Sequence, residues 1–137
     1  MGLLHAYVLA AGLLGAEPGE PPAVATLIAA LNDGDVEMRG YVAGALAEIG
    51  PAAVEPLKRA LQDSSPYLRA GAAFTFGKLG IAAKPAQQQL LIALSDKDRD
   101  VRRHAAYALS RLFAAEKEHS ATPAAAPPPV FPQETPR

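Results

Sequence analysis

Three stretches of this chain repeat one another, and that self-similarity restricts the possible folds more than any single residue does. The copies read LNDGDVEMRGYVAGALAEIG from Leu31 to Gly50, LQDSSPYLRAGAAFTFGKLG from Leu61 to Gly80 and LSDKDRDVRRHAAYALSRLF from Leu94 to Phe113. A Leu, an Asp, an apolar residue followed by Arg, and then small and apolar residues return at the same internal positions. The first two copies start 30 residues apart, the second and third 33. A unit of this size cannot bury its own apolar face, so stacked supersecondary units are predicted. Stacked units present an extended surface, which points to binding rather than to a catalytic pocket.

Each copy reads with its upstream residues as two helices. Short first helices are predicted at Ala23–Leu31, Ala53–Leu61 and Ala86–Leu94. Val24, Leu27, Ile28 and Leu31 fall at i, i+3, i+4 and i+7, one apolar face of a helix. Second helices are predicted over Asp35–Ile49, Ser65–Leu79 and Asp98–Phe113, the last running on to about Lys117. Their matching stripes are Met38, Val42, Ala45, Leu46, Ile49; Leu68, Ala72, Thr75, Phe76, Leu79; and Val101, Ala105, Ala108, Leu109, Leu112. The turns NDGD, QDSS and SDKD carry side chains able to cap a helix start. Gly50 and Gly80 stand where a helix C-cap needs glycine. Ala43, Ala73 and Ala106 are small enough for neighbouring helices to pack closely.

The recurring pattern of Asp, apolar-Arg, Ala-Ala and Gly resembles the short bacterial HEAT-like repeats first named for phycobilin (PBS) lyase subunits. It is carried by Asp33, Met38, Arg39 and Gly50; by Asp63, Leu68, Arg69, Ala72, Ala73, Gly77 and Gly80; and by Asp96, Val101, Arg102, Ala105 and Ala106. The resemblance implies an all-α fold, a right-handed α-solenoid of about three helical hairpins with an extra N-terminal helix. It implies that Asp33, Arg39, Asp63, Arg69, Asp96 and Arg102 form a structural ladder. In that ladder Asp caps a helix, and Arg bonds to carbonyls or to the neighbouring repeat's acid. It also implies that the second helices line the concave face.

On this reading the repeats occupy 23–117, as 23–50, 53–80 and 84–113. Residues 1–22 are an apolar helix, a half-repeat, with a linker. The run LLHAYVLAAGLL at residues 3–14 also loosely fits a secretory signal cleaved near Ala16, although no Lys or Arg precedes it. It is too short for a membrane span of about 20 residues. The expected location is cytoplasmic, or secreted or periplasmic if residues 1–16 are a signal. Residues 118–137 lie in a stretch with six prolines and no apolar periodicity, and are expected to form a disordered tail.

The functional candidates lie on the second helices outside the apolar stripe. In register these are Glu37, Tyr67 and Asp100; Gly40, Ala70 and Arg103; Tyr41, Gly71 and His104; Gly44, Phe74 and Tyr107; and Glu48, Lys78 and Arg111. Aromatic and Arg side chains are typical interface anchors. A partner-binding strip of Tyr41, Tyr67, Phe74, Arg103, His104, Tyr107 and Arg111 is predicted. Gly40, Gly44 and Gly71 are expected to leave grooves beside it.

Other chemistry finds little support. The chain has no cysteine, and 13 Lys and Arg against 14 Asp and Glu give a net charge of −1. No His or Cys pair has metal-ligand spacing. HEAT-fold hydroxylases bind iron through His-Glu pairs, but here the histidines precede Ala6, Ala105 and Ser120. There is no phosphate-binding loop and no nucleophile elbow. No catalytic residue, cofactor or metal is expected. The third repeat is basic (Arg99, Arg102, Arg103, Arg111) and the first acidic (Asp33, Asp35, Glu37, Glu48). That gradient suits a protein partner, or self-association through apolar terminal faces, better than nucleic acid. The sequence thus predicts a non-enzymatic scaffold or adaptor. Two alternatives stay open: an accessory lyase-type subunit holding a tetrapyrrole-like cofactor, and a DNA-binding member of the same fold.

Overall fold

A computed structural model describes residues 19–121, 128–130 and 132. The N-terminal run, read either as a half-repeat or as a signal, lies outside the described residues. Six α-helices occupy the described part: α1 (Pro22–Ala30), α2 (Val36–Ile49), α3 (Val54–Ala60), α4 (Pro66–Leu79), α5 (Gln87–Ala93) and α6 (Arg99–Ala121). They pair as three hairpins, α1–α2, α3–α4 and α5–α6. Helix α4 is central, packed on α2 to one side and α6 to the other. The result is an all-α solenoid. No helix among the described residues is long and apolar enough to cross a membrane.

The second helices start the same way three times. Asp33, Asp63 and Asp96 each accept, through Oδ1, the amide of the residue two places on, at 2.9 Å. That next residue is the helix N-cap. Asp35 Oδ1 accepts the amides of Glu37 and Met38 at 2.8 and 3.4 Å, and Ser65 Oγ that of Leu68 at 3.5 Å. Asp98 Oδ1 accepts the amides of Asp100 and Val101 at 2.8 and 3.1 Å. The repeated Asp is therefore not itself the helix cap, which corrects that part of the ladder expectation. It folds the turn that delivers the cap.

Helix ends are set by glycine. Gly50 and Gly80 have φ of 79° and 59°, which L side chains rarely adopt. A 3-10 segment follows each, Gly50–Ala53 after the first hairpin and Gly80–Ala86 after the second. The second is three residues longer, and it absorbs the wider spacing between the second and third copies. Gly80→Ala is expected to cost about 1–3 kcal/mol from the strained φ. Gly40 lies within α2, and a Cβ there would meet nothing within 4 Å. Gly40→Ala is thus expected to stabilise by about 0.5–1 kcal/mol through helix propensity. Urea unfolding of both variants checks the two opposite signs.

One continuous core runs through all three hairpins, including Val24, Leu31, Leu46, Leu57, Phe76, Leu90 and Leu109. Thr75 belongs to the buried stripe despite its hydroxyl, which donates back to the Gly71 carbonyl at 2.8 Å. Ala43 and Ala73 are fully buried, as close packing requires, whereas Ala106 is exposed. No fourth hairpin among the described residues covers it. Met38, expected on the apolar stripe, is 46% exposed, unlike its buried register mate Val101. Helix α6 continues to Ala121, beyond the expected end near Lys117, and Lys84 pairs with Glu116 across to it. Residues 118–121, expected in the tail, are thus helical; residues 128–130 and 132 have no regular secondary structure.

Candidate functional site

The second-helix face carries an aromatic cluster built from α4 and α6. Phe74 stacks with Tyr107, ring centroids 5.8 Å apart and planes at 28°. His104 meets Phe74 edge-on at 5.4 Å. Lys78 Nζ sits 5.2 Å from the Phe74 centroid, a cation–π contact. The spacing of the α6 pair explains the arrangement. His104 and Tyr107 are three residues apart on one helix, so they lie side by side on the face turned towards α4.

Gly77 makes room for the stack. A Cβ there would lie 2.3 Å from Tyr107 Cε1, so the Tyr107 ring lies directly over the glycine. Gly71 has a task beyond the groove expected of it. Its missing Cβ lets α4 approach Leu31, whose Cβ would otherwise be 3.0 Å away, so it is a packing glycine as well as a groove residue. At Gly44, as at Gly40, the space beyond is open.

Two grooves flank the cluster. One of about 410 Å³ is lined by Gly44, Ala47, Glu48, Gly77, Lys78, Tyr107 and Arg111. The other, about 130 Å³, is lined by Val36, Arg39, Ala70, Gly71, Phe74, Arg103 and His104. Each runs across all three second helices. The first is polar along its Glu48–Lys78–Arg111 register row; the second has an apolar floor and basic walls.

The strip residues separate into two groups. Phe74, His104 and Tyr107 are brought together, with Arg103 and Arg111 at opposite grooves. Arg103 Nη2 also pairs with Asp100 Oδ1 at 2.9 Å. Tyr41 and Tyr67 stand apart: both are more than half exposed and make no ring contact among the described residues. Tyr41 instead donates its hydroxyl to Glu37 Oε1 at 3.0 Å along its own helix.

His104 is held by a 2.8 Å contact between Nδ1 and the Asp100 carbonyl, in which the nitrogen donates. Burial lowers its pKa, and the positive charges of Arg103 and Arg39 add to that, against the Asp100 carbonyl and carboxylate. The ring is therefore neutral at pH 7. Among the described residues no group of His, Asp and Glu could hold a metal ion.

The ladder arginines differ from one another. Arg69 Nε and Nη2 grip Asp96 Oδ2 and Oδ1 at 2.9 and 3.0 Å, while Nη1 donates to the carbonyls of Asp63 and Ser64 at 2.8 and 3.0 Å. Arg102 Nη1 makes the equivalent carbonyl bonds to Asp96 and Lys97 at 2.8 and 3.1 Å. Arg39 makes no such bond, so the expected rung to Asp63 is absent. Its place in the basic groove was not visible in the repeat pattern, which put it with its register mates. Gly77 matches the repeat pattern but not the candidate positions, and Lys78, a candidate position, lies outside the predicted strip. The ring each one meets comes from another helix or another turn.

A family model of HEAT repeats matches the chain over residues 6–74, 24–110 and 54–127. No curated protein is matched.

Proposed function

Because the chain belongs to the HEAT-repeat family, we propose that it is a non-catalytic scaffold or adaptor that holds a protein partner along its second-helix face. The observation that supports this is the Phe74–His104–Tyr107 cluster, seated on Gly77 and flanked by two grooves. The stack fixes these rings before any partner arrives, so few side chains need ordering on binding. Arg103 and Arg111 give polar contacts at the two ends, and aromatic and Arg anchors of this kind dominate interface energies. Tyr41 and Tyr67 belong to the outer part of the same surface.

The alternative of an accessory enzyme subunit, of the phycobilin lyase type, calls for one continuous cleft for a tetrapyrrole-like cofactor. Here the Phe74–Tyr107 stack stands between two separate grooves, which favours the scaffold. Nucleic-acid binding calls for an uninterrupted basic surface. Glu37, Glu48 and Asp100 interrupt this one.

The test is affinity capture from native lysate, read by mass spectrometry, with three forms of the chain. These are wild type, Phe74→Ala/Tyr107→Ala and Gly77→Ala. The last keeps both rings but pushes Tyr107 off its seat, and its helix-propensity gain of about 1 kcal/mol offsets the strain. Both variants are expected to keep their helicity and to recover less than about a tenth of the wild-type partner, a loss near 1.4 kcal/mol. Equal recovery by all three would remove the aromatic cluster from the site.

A further inference from the structure

Arg39 is the residue that the repeat pattern leaves unexplained. Its register mates spend their guanidinium donors on turn carbonyls, and Arg69 also on Asp96. The Arg39 side chain makes no hydrogen bond or ion pair among the described residues, and its Nε is buried without an acceptor. A buried donor on a permanent cation is costly to leave unpaired, so native proteins rarely keep one without a reason. The in-register acid, Asp63, uses Oδ1 to fold its own turn through the Ser65 amide at 2.9 Å.

The surroundings of Arg39 say what acceptor would suit it. It lines the 130 Å³ groove together with Arg103 and His104, and Val36, Ala70, Gly71 and Phe74 supply the apolar part of that lining. On α2 the groove takes in the first helical turn, Val36 to Arg39, where the positive dipole end adds to the charge of Arg39 in favouring an anion. The charges of Arg39 and Arg103 both depress the titration of His104, so that they share one electropositive field. Asp100 answers Arg103 from the exposed side. No acid among the described residues answers the Arg39 guanidinium.

We propose that this groove takes a carboxylate carried beside an apolar group on the partner polypeptide, with the carboxylate on Arg39 and the apolar group against Phe74. This deepens, and rests on, the reading that the second-helix face binds a protein. A guanidinium meets a carboxylate through two parallel hydrogen bonds. The small volume and apolar floor suit a single anionic group with a short side chain. A phosphate backbone would need a run of cations instead, and the acids along this face break it.

The probe is N-acetyl-L-leucine, titrated into the full chain and followed by NMR at the Arg39 Nε–H and the His104 ring. Its amide, N-acetyl-L-leucinamide, and a short DNA duplex serve as comparison probes. A fragment of this size binds at about millimolar strength. The carboxylate is expected to shift Arg39 Nε–H saturably and to raise the His104 pKa, while the amide does neither. Arg39→Gln should weaken binding at least tenfold and keep its helicity, since Arg39 holds no structural bond. Equal binding of the amide, retained binding by Arg39→Gln, or no saturable shift would each overturn the proposal. So would saturation of Arg39 by DNA alone. If the titration fails while Phe74→Ala/Tyr107→Ala still loses its partner, only the carboxylate assignment falls. If the titration succeeds while that variant keeps its partner, the aromatic-face reading falls instead.

Discussion

Asp96→Asn lowers the stability of the fold by about 3–5 kcal/mol, because it leaves the Arg69 guanidinium charged and without its carboxylate inside the protein. The two side chains are only 8% and 15% exposed and join the second hairpin to the third. Asparagine keeps an oxygen to accept the Asp98 amide, so the turn survives and the loss isolates the ion pair. Removing both partners, as Arg69→Met with Asp96→Asn, recovers part of the loss. The recovery is incomplete because the Asp63 and Ser64 carbonyls lose their donor. The pH dependence follows from Asp96. Burial pushes its carboxyl up, but the Arg69 hydrogen bonds, the Asp98 amide and the charges of Arg69 and Lys97 together bring it below its ordinary value. A carboxyl depressed in the folded state stabilises fully above its unfolded pKa of about 3.9, and that stability is lost as pH falls through the folded value. Arg69 stays charged throughout, its own pKa raised by the bond to Asp96 against the effect of burial. Urea unfolding at neutral pH and below pH 4 checks both parts. The wild type should lose its advantage over Asp96→Asn in acid. A cost at pH 7 of under about 1 kcal/mol, the value of an exposed pair, would refute the argument.

What the sequence makes legible here is whatever depends on neighbours along the chain. The apolar spacing of Val24, Leu31, Val42 and Leu46 locates helices to within a residue or two, since burial follows the helical period. Gly50 and Gly80 mark helix ends because only glycine takes their φ freely. The turns NDGD, QDSS and SDKD contain the caps, but each offers several candidate acceptors. Only the fold shows which one caps the helix and which one folds the turn. What stays hidden depends on residues about thirty positions away. Arg39 and Arg69 occupy one register, yet Arg69 has Asp96 within reach while the Arg39 guanidinium finds no acceptor among the described residues. Tyr107 and Tyr41 are both tyrosines on the second-helix face, yet only Tyr107 meets a ring, because Phe74 lies against its helix. Gly77 matches the repeat pattern, but its role as a seat depends on Tyr107. The aromatic strip was therefore legible as a set of candidates, and its division into a cluster and two outliers was not.

Phe76→Ala costs about 3–5 kcal/mol, the range for emptying a fully buried phenylalanine site, whereas Phe74→Ala two residues earlier costs about 1–2 kcal/mol. The contrast comes from helix geometry. Two residues along a helix turn through about 200°, so the rings point to opposite sides of α4. Phe76 is fully buried within the core shared with α2 and α6. Phe74 is only partly buried, and its stack with Tyr107 is worth about 0.5–1.5 kcal/mol beyond the area it covers. In a solenoid each hairpin is held mainly by its neighbours, so a cavity in the middle one weakens both interfaces at once. Phe76→Ala should therefore broaden the urea transition as well as shift it, and Phe74→Ala should shift it without broadening. The separation matters for function, because a scaffold can change the surface it presents only where that surface is independent of the core. Equal costs for the two variants, measured by circular dichroism in urea, would mean that Phe74 is core too. Lost partner capture in the Phe74 variant would then report misfolding rather than a binding site.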